Sequence, residues 1–422
     1  MAMEKHVLSK STFIRGVQCL KSLYLHQNRP FLRDRLPRER LLVFRRGHQV
    51  GDLAHRLFPG GVDMRPGHPS AYRKALQNTE DQIMSGQPVI YEAAFQYDGV
   101  LVFLDILVRS GERWKAYEVK SSGGISETYL MDAALQYYVI MGSGIALENI
   151  SLIHINKEYI LEGDIDPHGL FRIVEITDEA LSRLEYVQQQ IIREKEAIGL
   201  KSSPPITVGP HCREPYDCDF IGHCWKNVPL PASPPIEQQL DKKAIDIFRQ
   251  MSPVFLKVLT MRQAIPQYQG TRPYQEIAYG YSLITDGQNR TAIFSSKDNP
   301  ELALRESLKK ELLDVTAILC LNGKWKAGEL LGKETEIHEL NELFIKGSEI
   351  LDFNEGESLL EKIYRITGDL LPEEVYSSDA VCADHYLNSQ DANNYEEDIR
   401  RYAETATLAT KTLYEHILNI SH

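Results

Sequence analysis

The alternation of apolar and polar positions predicts a run of elements in the first half of the chain. Residues 71–86 read as a helix. Residues 88–97 (PVIYEAAFQY) read as a strand, and 100–109 (VLVFLDILVR) as the strongest strand candidate in the sequence. Ser110-Gly111-Glu112 is a hairpin turn, followed by a strand over 113–120 (RWKAYEVK). Ser121-Ser122-Gly123-Gly124 ends that strand, 127–141 (ETYLMDAALQYYVIM) is helical, and 149–156 (NISLIHIN) returns to strand. The order α-β-β-β-α-β predicts a mixed α/β core with a hairpin inside it. At 227–237 (NVPLPASPPIE) four prolines precede a new charged helix pattern. Proline fixes the backbone and removes a donor, so this stretch reads as an extended linker between a first domain, 1–226, and a second, 238–422. There are no internal repeats and no low-complexity tract.

Composition narrows the class. The 422 residues suffice for two or three domains, and 43% hydrophobic with 25% charged residues is a globular balance. No uncharged apolar run reaches ~18 residues, which excludes an ordinary transmembrane helix. The first residues (MAMEKHVLSKSTF) lack the apolar core of a signal peptide. Six cysteines do not make a disulfide scaffold, so the expectation is a cytoplasmic protein with no membrane association. The net charge of −12 is uneven: residues 1–232 carry −1 and residues 233–422 carry −11. Within the first half, residues 29–46 (RPFLRDRLPRERLLVFRR) hold seven arginines against Asp34 and Glu39. Such a stripe suits a phosphate backbone, and equally a solvated helix face with local ion pairs.

The chemistry concentrates on the hairpin. Asp105 interrupts the apolar strand 100–109, where a lone carboxylate is costly unless it is paired or binds a metal. Thirteen residues on, the next strand carries Glu118-Val119-Lys120. Strand side chains alternate, so Glu118 and Lys120 share a face, and a fold at 110–112 brings Asp105 beside Glu118. Two carboxylates and a lysine suit a hard divalent cation, Mg²⁺ or Mn²⁺, with the lysine offsetting charge on a phosphorane-like transition state. The bland alternative is a salt bridge between Glu118 and Lys120. Gly51-x-x-x-His55 upstream and Gln136 downstream add polar groups in a recognisable order.

A second cluster is made of cysteines. Cys212, Cys218 and Cys224 stand at equal spacing in HCREPYDCDFIGHCW, and Cys19 lies far upstream in GVQCLKSLYL. Four soft thiolates suit an iron–sulfur cluster or zinc, although five-residue gaps are wider than structural zinc pairs usually have. Cys320 and Cys382 read as structural.

GDLAH (51–55), FLDI (103–106), YEVKSS (117–122) and LQYY (135–138) together resemble the PD-(D/E)xK nucleases of the RecB type, including the CRISPR-associated RecB-like exonucleases. The proline of the family name is missing: Phe103-Leu104 precede Asp105. The resemblance implies a restriction-endonuclease-like mixed sheet flanked by helices. It also implies that His55, Asp105, Glu118 and the Val119 carbonyl hold the metal, that Lys120 activates water, and that Gln136 positions the phosphate or the lysine. A distant N-terminal cysteine with a C-terminal trio resembles the arrangement that, in these exonucleases, holds a [4Fe–4S] cluster. By that likeness Cys19, Cys212, Cys218 and Cys224 tie the two ends of the nuclease domain together.

The stretch 254–284 (VFLKVLTMRQAIPQYQGTRPYQEIAYGYSLI) resembles the C-terminal domain of a prokaryotic family, domain-of-unknown-function family number 2779. There a RecB-like nuclease precedes a ribonuclease-H-like α/β domain of DEDD-exonuclease type. The acids of that domain are absent here, with Lys257, Leu259, Lys326 and Ala406 at the positions that align with them. The expectation is a degenerate, pseudo-exonuclease domain, whose acidic surface suits a protein partner better than bare DNA. The leading function is a metal-dependent nuclease acting on DNA that is single-stranded or has free ends. A non-catalytic DNA-binding or assembly factor and a cluster-based redox or DNA-damage sensor are the competing readings.

Overall fold

The computed structural model describes residues 6–228, 235–294, 298–332, 336–346, 359–368, 378–388 and 395–421. Most of the expected 227–237 linker, residues 229–234, lies outside the described residues. By contacts the chain forms two compact units, one of residues 1–36 and 43–229, the other of residues 37–42 and 230–422. Both are α/β, each a mixed sheet flanked by helices.

The first unit contains strands β1 (Leu8–Ser9), β2 (Val62–Asp63), β3 (Val89–Tyr97), β4 (Val100–Ser110), β5 (Arg113–Lys120), β6 (Leu147–Ile155) and β7 (Phe171–Glu175). Its helices are α1 (Lys10–Gln18), α2 (Leu20–Asn28), α3 (Arg38–Ala54), α4 (Tyr72–Met84), α5 (Glu127–Gly142), α6 (Pro167–Leu170), α7 (Thr177–Ser182), α8 (Leu184–Ile198) and α9 (Ile221–Cys224), with the first residues of α3 grouped in the second unit. The sheet order is β2-β3-β4-β5-β6-β7, with β1 also pairing β4. β3, β4 and β5 form an antiparallel meander, whereas β5 and β6 run parallel. A parallel pair needs a crossover, and α5 supplies it. The core joins Val102, Leu104, Trp114, Ala116, Ile150 and Leu152 of the sheet to Phe13 of α1, Leu135 and Val139 of α5, and Val187 and Ile191 of α8. The short strands β1, β2 and β7 are not legible in the hydrophobic pattern. The two residues of β1 and of β2 carry no periodicity of their own, and the five of β7 bury only Phe171.

The second unit contains β8 (Val254–Arg262), β9 (Glu276–Thr285), β10 (Gln288–Ile293), β11 (Ala317–Cys320) and β12 (Glu336–Glu339), in the order β10-β9-β8-β11-β12. β8, β9 and β10 are antiparallel, while β11 runs parallel to both β8 and β12. Its helices are α10 (Lys242–Phe248), α11 (Glu301–Glu311), α12 (Lys324–Leu331), α13 (Leu359–Thr367), α14 (Asp379–Asn388) and α15 (Tyr395–Ile420). Alternation along β8 divides the cores. Val254, Leu256 and Val258 pack with α11 and α12, whereas Phe255, Leu259 and Met261 pack with α13, α14 and α15. No helix among the described residues is long and apolar enough to cross a membrane.

Candidate functional site

The β4–β5 hairpin turns at Gly111, whose φ of +62° favours glycine. Ile106 pairs with Tyr117 and Leu107 with Ala116, a register that sets Asp105 opposite Glu118. Asp105 Oδ2 accepts from the Val119 N–H at 2.6 Å. Glu118 and Lys120 follow Trp114 and Ala116 on the alternating core side of β5. Lys120 Nζ donates to Glu118 Oε1 at 2.7 Å and also to Asp132 Oδ2. Gln136 Nε2 donates to Glu118 Oε2 at 2.8 Å. Asp132 and Gln136 are four apart, hence on one face of α5, whose N-terminus is capped by Ser126. The resemblance implied that Gln136 serves the phosphate or the lysine; in the structure its amide donates to Glu118, the carboxylate that Lys120 also contacts.

Sequence reasoning missed Lys10 and Asp132. Lys10 Nζ lies 2.7 Å from Glu118 Oε1 and 3.8 Å from Asp132 Oδ2. Lys10 is separated from Glu118 by 108 positions, and only tertiary folding joins them. Asp132 had a signal, its helical i,i+4 relation to Gln136.

The charges push these groups apart in character. Burial, then the neighbouring Glu118 charge, drives the Asp105 carboxyl well above the usual carboxylate range. Burial pushes Glu118 the same way, but the Lys10 and Lys120 ammoniums outweigh it and hold Glu118 below that range. For Lys120, burial opposes the charged form, and Asp132 and Glu118 overcome it, raising its pKa. Burial raises Asp132. Asp105 and Glu118 are hard oxygen donors of the kind Mg²⁺ or Mn²⁺ takes. Asp132 Oδ1 and Gln136 Oε1 are buried without a hydrogen-bond partner, so polar capacity is left over beside them. Yet no three His, Cys, Asp or Glu side chains among the described residues are grouped to hold a metal ion as they stand. Glu118 Oε1 already faces two ammoniums.

His55 lies in a 3₁₀ turn directly after α3 and stacks on Tyr91, with ring centroids 3.9 Å apart. Burial lowers its pKa, and the charges acting on it are Asp63, Asp52 and Arg65. Next to Tyr91, Glu92 falls opposite Asp105 in the β3–β4 register and has φ +52°. A non-glycine residue there stores about 1–3 kcal/mol of strain. Arg65 pairs with Glu92 at 2.9 Å and with Asp52 at 3.0 Å.

The four cysteines of the first unit line one pocket, together with Ile206, Val208, Phe220 and Ile221. Cys19 sits between α1 and α2, Cys212 ends a 3₁₀ turn and Cys224 ends α9. The Cys218 N–H donates to the Cys212 carbonyl at 2.8 Å. Burial raises the Cys19 and Cys224 thiols, and each lies within electrostatic reach of Cys212 and Cys218. All four are free thiols. Tetrahedral zinc with ~2.3 Å bonds draws its sulfurs to about 3.8 Å from one another. The four thiols around a pocket are a donor set that also suits a larger, polynuclear centre. The segment is clamped by Asp219, which pairs with Arg15 and Arg33 at 2.6 Å each, and by Gln18, whose amide donates to the His211 carbonyl at 2.9 Å. Arg33, from the arginine-rich stretch 29–46, is thus engaged in an internal ion pair.

In the second unit, Lys257 on β8 is buried and pairs with Asp379 at 2.7 Å, and the Tyr402 hydroxyl donates to the same carboxylate at 2.8 Å. Lys326 on α12 is buried against Glu301 at 2.9 Å and Glu329 at 3.0 Å. Leu259 and Ala406 lie in one apolar core. Cys320 and Cys382 are buried, and Cys382 accepts from Tyr279 at 3.3 Å.

No protein-family model matches the chain, and no curated protein matches it. A solved structure described as the crystal structure of SSO0001 is similar at 16% identity over 53% of this chain and 88% of that chain, with a TM-score of 0.20.

Proposed function

We propose that the chain is a metal-dependent DNA nuclease that hydrolyses phosphodiester bonds, with a RecB-like, restriction-endonuclease-like first unit. The observation that carries this reading is the β4–β5 hairpin, which sets Asp105 beside Glu118 and Lys120 against both Glu118 and Asp132. Asp105 and Glu118 would hold Mg²⁺ or Mn²⁺, which supplies Lewis-acid polarisation of the phosphate. Gln136 orients Glu118. Lys120 brings a positive charge to the developing phosphorane and orients water. Cys19, Cys212, Cys218 and Cys224 would hold a [4Fe–4S] cluster, with zinc as the alternative, and fasten the cysteine segment to α1 and α2. In the second unit, the ion pairs of Lys257 and Lys326 support a ribonuclease-H-like domain that has lost its metal chemistry and serves docking. Its acidity favours a protein partner.

A labelled oligonucleotide, single- or double-stranded, incubated with Mg²⁺ or Mn²⁺ tests the reading. Cleavage by wild type that is lost in Asp105→Asn and Lys120→Ala is the expected outcome. Undiminished cleavage by either variant refutes the assignment. The occupation of Glu118 by two ammoniums favours a second reading, a non-catalytic DNA-binding factor. DNA binding with no cleavage in either metal would select it.

A further inference from the structure

Lys10 belongs to none of the motifs above, yet it is built into the centre of the site. β1 pairs in parallel with Val100 and Leu101, which stitches the chain before Lys10 onto the strand that carries Asp105. Ser9 then caps α1 in a capping box with Thr12, fixing the direction in which the helix leaves. Lys10 is therefore held at the first helical position, with its ammonium on Glu118 Oε1.

Lys10 and Lys120 alternate with Glu118 and Asp132, two positive charges against two negative. The members are not equivalent. The Lys120 side chain is 15% exposed and that of Lys10 is 30% exposed, whereas that of Glu118 is 2% exposed. Lys120 is also fixed by a second hydrogen bond, to Asp132, while Lys10 stands 3.8 Å from that carboxylate. Lys10 is the more solvent-facing and more loosely held of the two cations on one oxygen.

We infer that Lys10 is the resident counter-ion of the site and competes with a divalent cation for Glu118 Oε1. It is a positioning residue that sets the affinity of the site for metal. This rests on the reading of Asp105 and Glu118 as cation ligands. Glu118 Oε1 already carries both ammoniums, at 2.7 Å each, so a divalent cation arriving there meets two like charges at close range; removing Lys10, the more exposed and less fixed of the two, takes away half of that repulsion and opens one side of the oxygen. With the ammonium gone, Glu118 keeps Lys120 and Gln136, so its charge is not left unpaired.

The test is Mn²⁺ binding to the full chain, followed by the electron paramagnetic resonance signal of the free ion, with no DNA present. Lys10→Met and Lys10→Gln each remove the charge, and Lys10→Arg keeps it. Circular dichroism identifies which neutral variant is folded, and that variant carries the comparison. The expected result is at least about tenfold tighter Mn²⁺ binding in the neutral variant, with Lys10→Arg close to wild type. Adding Asp105→Asn to the neutral variant should abolish the gain. Equal affinity in wild type and the neutral variant overturns the role of Lys10 and leaves the ligand assignment standing. No Mn²⁺ binding by either protein overturns both.

Discussion

The side-chain amide of Gln136 on α5 donates to Glu118 Oε2 on β5 at 2.8 Å, and both residues are buried. This bond divides the labour of the Glu118 carboxylate. One oxygen is fixed by an amide and the other faces charge. Gln136→Leu leaves Oε2 without its donor, at a cost of about 1–3 kcal/mol. Cleavage of a labelled oligonucleotide should fall at least about tenfold at saturating substrate. Far-UV circular dichroism should stay unchanged. Wild-type turnover in the folded variant would remove Gln136 from the machinery.

The cysteine pocket has an optical test. Protein purified without air should be brown, with broad absorbance near ~400 nm, as Cys₄ iron–sulfur ligation gives. Cys19→Ser should bleach it and lower the thermal midpoint, because the ligand set then no longer joins the α1–α2 junction to residues 212–224. A colourless protein containing one zinc would replace the cluster with zinc.

Asp219 is a buried carboxylate shared by Arg15 and Arg33. Asp219→Ala removes the common partner, but Arg15 keeps its hydrogen bond to Ser22 and Arg33 is 33% exposed, so the loss is that of charged hydrogen bonds, about 1–3 kcal/mol. Urea denaturation should show a midpoint shifted to lower concentration. An unshifted midpoint would mean that the clamp contributes nothing to stability.

Glu194 on α8 is fully buried, accepts from Gln190 at 2.9 Å, and has a second oxygen without a partner. Burial pushes its pKa from the ordinary 4.5 up to about 9. Below 4.5 both folded and unfolded chains hold this proton. Between 4.5 and 9 only the unfolded chain releases it, so stability falls as pH rises through that window. Glu194→Gln has no proton to lose. From pH 5 to 8, wild type should lose at least about 1 kcal/mol more than the variant in denaturant titrations. Parallel pH profiles for the two proteins would contradict the assignment.

Much of the site was written in local pattern. Period-two alternation put Glu118 and Lys120 on one face, and Gly111 marked the turn that sets Asp105 opposite Glu118. The three clustered cysteines stood out by their spacing, and the structure places them with Cys19 around one pocket. The partners of these residues were less visible. Whether Gln136 serves phosphate, lysine or glutamate depends on the rotation of α5 over β5, which side-chain packing sets. The stacking of His55 on Tyr91 depends on where the end of α3 meets β3.

The sequence by itself determined the four longer strands of the first unit, β3 to β6, the hairpin, the helix that follows and the residue types gathered on them, because strand and helix periods are set by the backbone alone. Only the tertiary structure decided that Lys10 and Asp132 complete the charge pattern around Glu118, and that Arg33 pairs with Asp219 instead of facing solvent. The physical reason is that electrostatic partnership depends on distance in space. Chain neighbours do not reveal it when the partners lie 108 positions apart and the burial that strengthens them exists only after folding.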